Sequence, residues 1–213
     1  MRIAIIGAGT VGSGLARAAV SLGHDVVLSA RHADHARKVA EDVGARAAES
    51  AAEAADGADM VVLAVPSTAV AGVSDQIRRE VEGAIVIDPT NPLEPDVSGV
   101  LEATLSVAEE IAILLPRTRI VKAFNTVFGG FLTHPVVDGV QLDGFYAGDD
   151  PAAKAAVAEL VAAMGLRPVD VGALRAARSL EHMAFLNISL NVRNGLSWSS
   201  GWKLLGDVGR AAT

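Results

Sequence analysis

Three glycines near the start of the chain, Gly7, Gly9 and Gly12 in MRIAIIGAGTVGSG, have the Gly-x-Gly-x-x-Gly spacing with which a main chain cradles a pyrophosphate. An apolar strand leads directly into them, and the helix-forming stretch LARAAVSLG follows. Gly7 permits the tight strand-to-helix turn, Gly9 lets the backbone approach the phosphates, and Gly12 lets helix and strand pack closely. The phosphates then meet the free N–H groups and the positive dipole end of that helix. Gly7, Gly9, Thr10, Val11 and Gly12 are therefore read as the grip on a nicotinamide dinucleotide.

The choice of nucleotide falls at the end of the second strand, in DVVLSARHADHARK. A site for NAD usually carries an acid there for the ribose hydroxyls. Here Ser29, Ala30 and Arg31 occupy it, followed by His32, His35, Arg37 and Lys38, a basic cluster in a chain of formal net charge -7. Arg31 is suited to hold a 2′-phosphate through charge-assisted hydrogen bonds, which favours NADP(H). The four other basic residues read as the solvated first turns of a surface helix.

Further candidates stand in loops at the carboxyl ends of predicted strands, where open α/β sheets place their ligands. In Ala64-Val65-Pro66-Ser67-Thr68, Val65 and Pro66 face the cofactor, while Ser67 or Thr68 serves equally well as a helix cap. Asp88-Pro89-Thr90-Asn91-Pro92 makes a stiff turn that is structural first. In Val121-Lys122-Ala123-Phe124-Asn125-Thr126, Ala123 and Asn125 border the cofactor, and Lys122 and Asn125 are candidates to orient substrate or donate a proton. Lys122 reads evenly as a site residue or a surface residue. His134, in Phe131-Leu132-Thr133-His134-Pro135, is a candidate for the border of an acceptor site, against the reading of an ordinary loop histidine.

These loops need a frame, and short β-rich runs alternating with Ala-rich helical stretches provide it. Strands are predicted near 2–6, 25–29, 59–64, 84–88, 119–124, 143–148 and 166–171, which gives an α/β Rossmann-type doubly wound, mainly parallel sheet. PAAKAAVAELVAAMG, with Pro151 at its start and Gly165 as its stop, is a secure helix between two of them. Strand-like runs cease at about residue 173. The chain is therefore divided into a nucleotide-binding domain, 1–172, and a helical extension, 173–213. Leu180, Met183, Phe185, Leu186, Ile188 and Leu190 of the extension are expected to pack on the sheet or on a second subunit. Trp198 and Trp202 are spaced to share a helix face, where core or interface packing outweighs cover for a flat ring.

Composition narrows the partners. A chain of 213 residues that is 51% hydrophobic buries a full core. Its negative charge argues against nucleic acid or an anionic membrane surface, leaving small molecules. The absence of cysteine excludes disulfides, thiol catalysis and thiolate-bound metal. The five histidines, at 24, 32, 35, 134 and 182, have no metal-ligand or triad spacing, so no metal is expected. The apolar runs are too short to span a membrane, and Met1 leads straight into a strand without a signal peptide, so the cytoplasm is the expected compartment. A homodimer is expected from the extension's apolar residues.

GAGTVGSGLA with SAR, then AVP, KAFNT, YAGDD and the run DVGALRAARSLEHMAFLNISLNVRNGLSWSSGWKLLG together resemble the NADPH-dependent coenzyme F420 reductases over nearly the whole chain. KAFNT is also similar to the NADPH-binding domain of six-transmembrane epithelial metalloreductases. The resemblance implies direct hydride transfer between NADPH and a stacked deazaflavin, with coenzyme F420 as second substrate and Gly172-Ala173-Leu174 on the deazaflavin side. The chain departs from the family pattern in a glycine loop one residue shorter than the archaeal form, in Ala173 for a usual proline, and in Asn125 for a histidine. These departures bear on the electron acceptor more than on NADPH.

Transfer between stacked rings needs proximity and orientation but little acid–base help, so no catalytic side chain is required. An NADPH-dependent imine or carbonyl reductase would instead need a proton donor such as Lys122, His134 or Tyr146. A non-catalytic NADPH-sensing module is the third reading.

Overall fold

The computed structural model describes residues 1–94, 96, 98–101 and 103–206. Its centre is a sheet that begins with β1 (Arg2–Ile6), β2 (Asp25–Ser29), β3 (Arg46–Ala47), β4 (Met60–Leu63), β5 (Ile85–Asp88) and β6 (Arg119–Ala123). A two-stranded ribbon of β7 (Val136–Val137) and β8 (Val140–Gln141) precedes β9 (Asp143–Gly148) and β10 (Arg167–Asp170). The spatial order is β10-β9-β6-β5-β4-β1-β2-β3. Every adjacent pair is parallel except β6 and β9, where Ala123 lies opposite Tyr146 and Val121 opposite Gly148. All seven predicted strands are present; the two-residue β3, β7 and β8 are additional.

Alternating side chains send the strands' apolar residues to both faces, as a sheet covered on both sides requires. Ile3, Ile5, Val26, Leu28, Val62 and Val121 pack under α1 (Thr10–Ser21), α2 (Ala33–Val43) and α6 (Pro151–Ala163). Ala4, Ile6, Val27, Val61, Leu63 and Val86 pack under α3 (Ala51–Ala55), α4 (Val70–Ile77) and α5 (Val107–Leu114). Helix starts are sharply defined: Ser106 and Glu109 form a reciprocal capping box on α5, and Asp150 caps α6 ahead of Pro151.

The last helix, α7 (Ala177–Asn194), lies on the second face over β9 and beside α5. Its buried stripe is Ala177, Leu180, Glu181, Ala184, Asn187 and Asn191, which is half polar. Of the residues expected to pack, Leu180 is buried, whereas Leu186 and Leu190 are 50% and 43% exposed. Helical periodicity was read from the apolar residues, and the stripe that docks is the one whose polar groups find partners. Residues 207–213 of the predicted extension lie outside the described residues.

Candidate functional site

The glycine turn sits where the chain leaves β1 for α1, at the point where strand order reverses between β2 and β4. Gly7 has φ +116°, and a Cβ there would lie 2.0 Å from the Ala64 carbonyl oxygen of the neighbouring strand's loop. A Cβ on Gly12 would lie 1.9 Å from the Gly7 carbonyl oxygen. Both positions are closed to any side chain by backbone that cannot yield. Gly9 is different: nothing lies within 4 Å of its missing Cβ, so the space it leaves faces outward. As the N-cap of α1 it offers no side-chain acceptor, which leaves first-turn N–H groups available to an anion.

Beside this turn lies a cavity of about 650 Å³, lined by Gly7, Ala8, Gly9, Ser29, Arg31, Val65, Pro66 and, from α4, Gly72 and Gln76. The Ser29 hydroxyl is buried without a hydrogen-bond partner, while its carbonyl accepts from the Gly7 N–H at 2.8 Å. Arg37 is drawn away to Asp34 and Glu49, whereas Arg31 lines the cavity. His35, read from sequence as solvated, places Nε2 3.1 Å from the Ala8 carbonyl oxygen and ties α2 to the glycine turn. Glycine cradle, open helix end, orphaned hydroxyl and cationic rim together fit a phosphorylated dinucleotide.

A second, smaller cavity of about 150 Å³ opens on the other side of the turn, between Val11, the ends of β5 and β6, and the middle of α7. Its walls include Pro89, Asn91, Phe124, Asn125, Thr126, Phe128, Ala184, Asn187 and Ile188. Phe124 is fully buried with φ +66°, an unusual conformation for a bulky residue, and it turns the chain sharply out of β6. Asn125 and Asn91 then clasp: Asn125 Nδ2 donates to Asn91 Oδ1 at 2.9 Å, and Asn91 Nδ2 donates to the Asn125 carbonyl at 2.9 Å. Asn125 Nδ2 also donates to the Leu180 carbonyl of α7 at 3.0 Å. Asn125 Oδ1 and the Thr126 hydroxyl are buried without protein partners, and both residues line this cavity.

Under this cavity lies a buried ionic cluster. Lys122 Nζ, at 0% exposure, is 2.8 Å from Asp88 Oδ2 and 2.8 Å from Glu181 Oε1, and donates to the Thr90 carbonyl at 2.6 Å. Glu181 Oε1 also accepts from the Val107 N–H at 3.0 Å. Burial pushes the Glu181 carboxyl above its ordinary range, opposed by the attraction of Lys122. The cluster joins β5, β6, α5 and α7 at one point.

A family model described as NADP oxidoreductase, coenzyme F420-dependent, matches residues 2–92. The F420-dependent NADP reductase of Methanothermobacter thermautotrophicus is 33% identical over 212 residues, covering 91% of this chain and 90% of that protein. This chain belongs to the F420-dependent NADP reductase family. Metalloreductase STEAP3 of Rattus norvegicus is 29% identical over 183 residues, 84% of this chain but 36% of that longer protein. The crystal structure of a candidate F420-dependent NADP reductase from Arthrobacter sp. FB24 superposes with a TM-score of 0.85 at 28% identity, covering 97% of this chain and all of that one.

Within this reductase family member, several residues singled out from sequence lie elsewhere than expected. Lys122 stands at the carboxyl end of β6 as expected but is not a surface residue, because both carboxylates of the cluster enclose it. The Ala123 side chain packs in the core, and Phe124 and Asn125 line the cavity in its stead. Gly172, Ala173 and Leu174 do not reach the small cavity. Since β9 and β10 run opposite to the other strands, the loop after β10 emerges at the amino edge, where the Gly148 N–H donates to the Gly172 carbonyl and Leu174 packs on Ile111 and Ile120. His134 is exposed beside Pro135, which packs toward Gly165 at the end of α6, and it is not among the cavity's lining residues. Tyr146 is buried in the core, and burial raises its hydroxyl above the ordinary range. Ile188 was expected only to pack and Asn187 only as part of the C-terminal run that carries the resemblance; their place in the cavity wall was not read from the sequence, where an asparagine on the inward side of a helix was the available signal. Among the described residues there is no cluster fit to hold a metal and no helix long and apolar enough to cross a membrane.

Proposed function

We propose that this protein transfers a hydride between NADPH and a deazaflavin of the coenzyme F420 type, or a flavin, by direct ring-to-ring transfer. The observation that carries this reading is the lining of the small cavity, which among the described residues contains no titratable side chain. A carbonyl or imine acceptor needs a proton donor within reach. Lys122 and Tyr146 are buried away from the cavity and His134 lies outside its lining, whereas transfer between stacked rings requires only that they be held in register.

In this reading Gly7, Gly9, Thr10, Val11 and Gly12 bind the pyrophosphate, Ser29 and Arg31 the 2′-phosphate, Val65 and Pro66 the ribose side, and Asn125 the nicotinamide amide. NADPH, once bound, supplies the hydride. Asn91 and Asn125 orient its ring through their shared hydrogen bonds, and the apolar wall of Val11, Ala184 and Ile188 excludes water. Residues 1–172 form the nucleotide-binding part, and α7 completes the acceptor side. The outward Leu186 and Leu190 support a homodimer, which a dimeric mass by light scattering would verify.

The test is anaerobic NADPH oxidation by the pure protein with oxidised coenzyme F420, FMN, FAD and a panel of cyclic imines, repeated with NADH. Loss of the F420 absorbance with NADPH is the expected result; turnover of imines alone would overturn it. Arg31→Ala is expected to raise the KM for NADPH about ten- to a hundredfold, the loss of a charged hydrogen-bond partner, and to leave that for NADH unchanged. Equal changes would remove Arg31 from the nucleotide site.

A further inference from the structure

We infer that Trp198 is a specificity-determining residue of the acceptor site, presenting its indole as a stacking surface for a planar fused-ring acceptor; the inference rests on the ring-to-ring reading above. Three independent observations meet at this residue. Trp198 is 48% exposed, so packing does not explain its size. Its φ is +58°, a left-handed conformation that a bulky side chain adopts only when its surroundings hold it there, and such strain gathers at binding sites. Its ring meets Phe128 edge-on, with centroids 5.5 Å apart and planes at 75°, and Phe128 is itself a wall of the small cavity.

The turn that carries Trp198 is fastened to the same cavity. Ser200 Oγ donates to Asn187 Oδ1 at 2.6 Å and accepts from Asn191 Nδ2 at 2.7 Å, and Asn187 lines the cavity. Ser197 and Ser199 hydrogen-bond across the tryptophan at 2.6 Å. Trp202, expected from sequence to share a helix face with Trp198, instead packs on Phe145, Val169 and Leu180. The two indoles thus have different work: one packs in the core and the other stays half exposed against Phe128, a wall of the small cavity. Trp198 meets the cavity wall through Phe128, and its exposed surface is available to a flat ligand.

The experiment exploits the fact that these are the chain's two tryptophans. In Trp202→Phe the emission reports Trp198 alone, and in Trp198→Phe it reports Trp202 alone. Oxidised coenzyme F420 and FMN, added as separate probes, are expected to quench the first variant saturably and the second little. Trp198→Ala is expected to raise the acceptor KM about three- to tenfold, the worth of one aromatic stack, with the KM for NADPH unchanged. Trp198→Gly, which relieves the left-handed strain, should show the same acceptor defect in a well-folded protein. Equal quenching of both variants, no quenching of either, or an unchanged acceptor KM overturns the inference. So does a fall in mass by light scattering on Trp198→Ala, which would assign the indole to contact with a second copy of the chain. Saturable quenching of Trp198 without any NADPH-linked reduction would retain the stacking site and reject the ring-to-ring reading.

Discussion

The two cavities that flank the glycine turn have walls of opposite kinds. On the nucleotide side the decisive surfaces are main chain: Gly7 and Gly12 lie where a side chain would strike a carbonyl oxygen at about 2 Å, and Gly9 leaves open space at a helix end. On the acceptor side they are side chains, held in place by contacts among β5, β6 and α7 that span up to 59 residues of sequence. A backbone wall admits one geometry and one class of ligand, the phosphate. A side-chain wall can be rebuilt residue by residue, and Asn125, one of the three departures from the family pattern, stands in it.

Substitutions at the glycines should bring out the contrast most strongly. Gly12→Ala is expected to abolish soluble folded protein, since its Cβ meets backbone that has no room to move, a cost beyond about 4 kcal/mol. Gly9→Ala should melt at the parent's temperature yet bind NADPH roughly tenfold or more weakly, about 1.4 kcal/mol, because its methyl enters only the space a phosphate would use. Calorimetric titration beside thermal melting separates the two; a Gly9→Ala protein of full affinity would place the phosphates elsewhere.

The acceptor side should break through charge. Lys122→Met leaves Asp88 and Glu181 buried without a cation and is expected to destabilise by about 3–5 kcal/mol in denaturant unfolding. Glu181→Gln keeps an acceptor for Lys122 and Val107 and should cost far less. If both cost the same, the hydrogen bonds rather than the charges hold α7.

The smallest effect is expected at the C-terminal segment, where Asp143 accepts two bonds from Arg167 at 2.7 Å, one from Lys203 at 3.1 Å and one from the Leu204 N–H at 2.6 Å. Burial alone would raise its carboxyl, but these donors take it below the ordinary range. A depressed carboxylate lends stability that is fully present above its unfolded value near 3.9 and is lost as pH falls through the folded value. The melting temperature should therefore drop below about pH 4, and Asp143→Asn should flatten that drop while costing about 1 kcal/mol at neutral pH. An unaltered acid limb in Asp143→Asn would show that other carboxylates set it.

The glycine turn was legible because its signals are local. Strand, glycines and helix fall within 21 residues, and Arg31 lies two residues past the end of the next strand. The acceptor half depends on direction and pairing, which local patterns do not carry. Alternation marks residues 143–148 as a strand but is identical read forwards or backwards, so the reversal of β9 was invisible, and with it the placement of Gly172, Ala173 and Leu174 at the far edge. Lys122 left a trace: one lysine within the buried run IVKAF, one aspartate ending IVID and one glutamate on an inward helix face each require a partner, and together they supply one another.

The Lys122 cluster also bears on how the chain is made. Synthesis delivers β6 to the folding chain well before Glu181 emerges, so for some sixty residues of elongation the ammonium has Asp88 as its only anionic partner from the cluster. The interior at the end of β6 thus remains unfinished until α7 has been translated, and α7 brings Leu180, whose carbonyl secures Asn125, in the same turn. Closure of the core around Lys122 and the anchoring of Asn125 therefore wait on the same turn of the same helix.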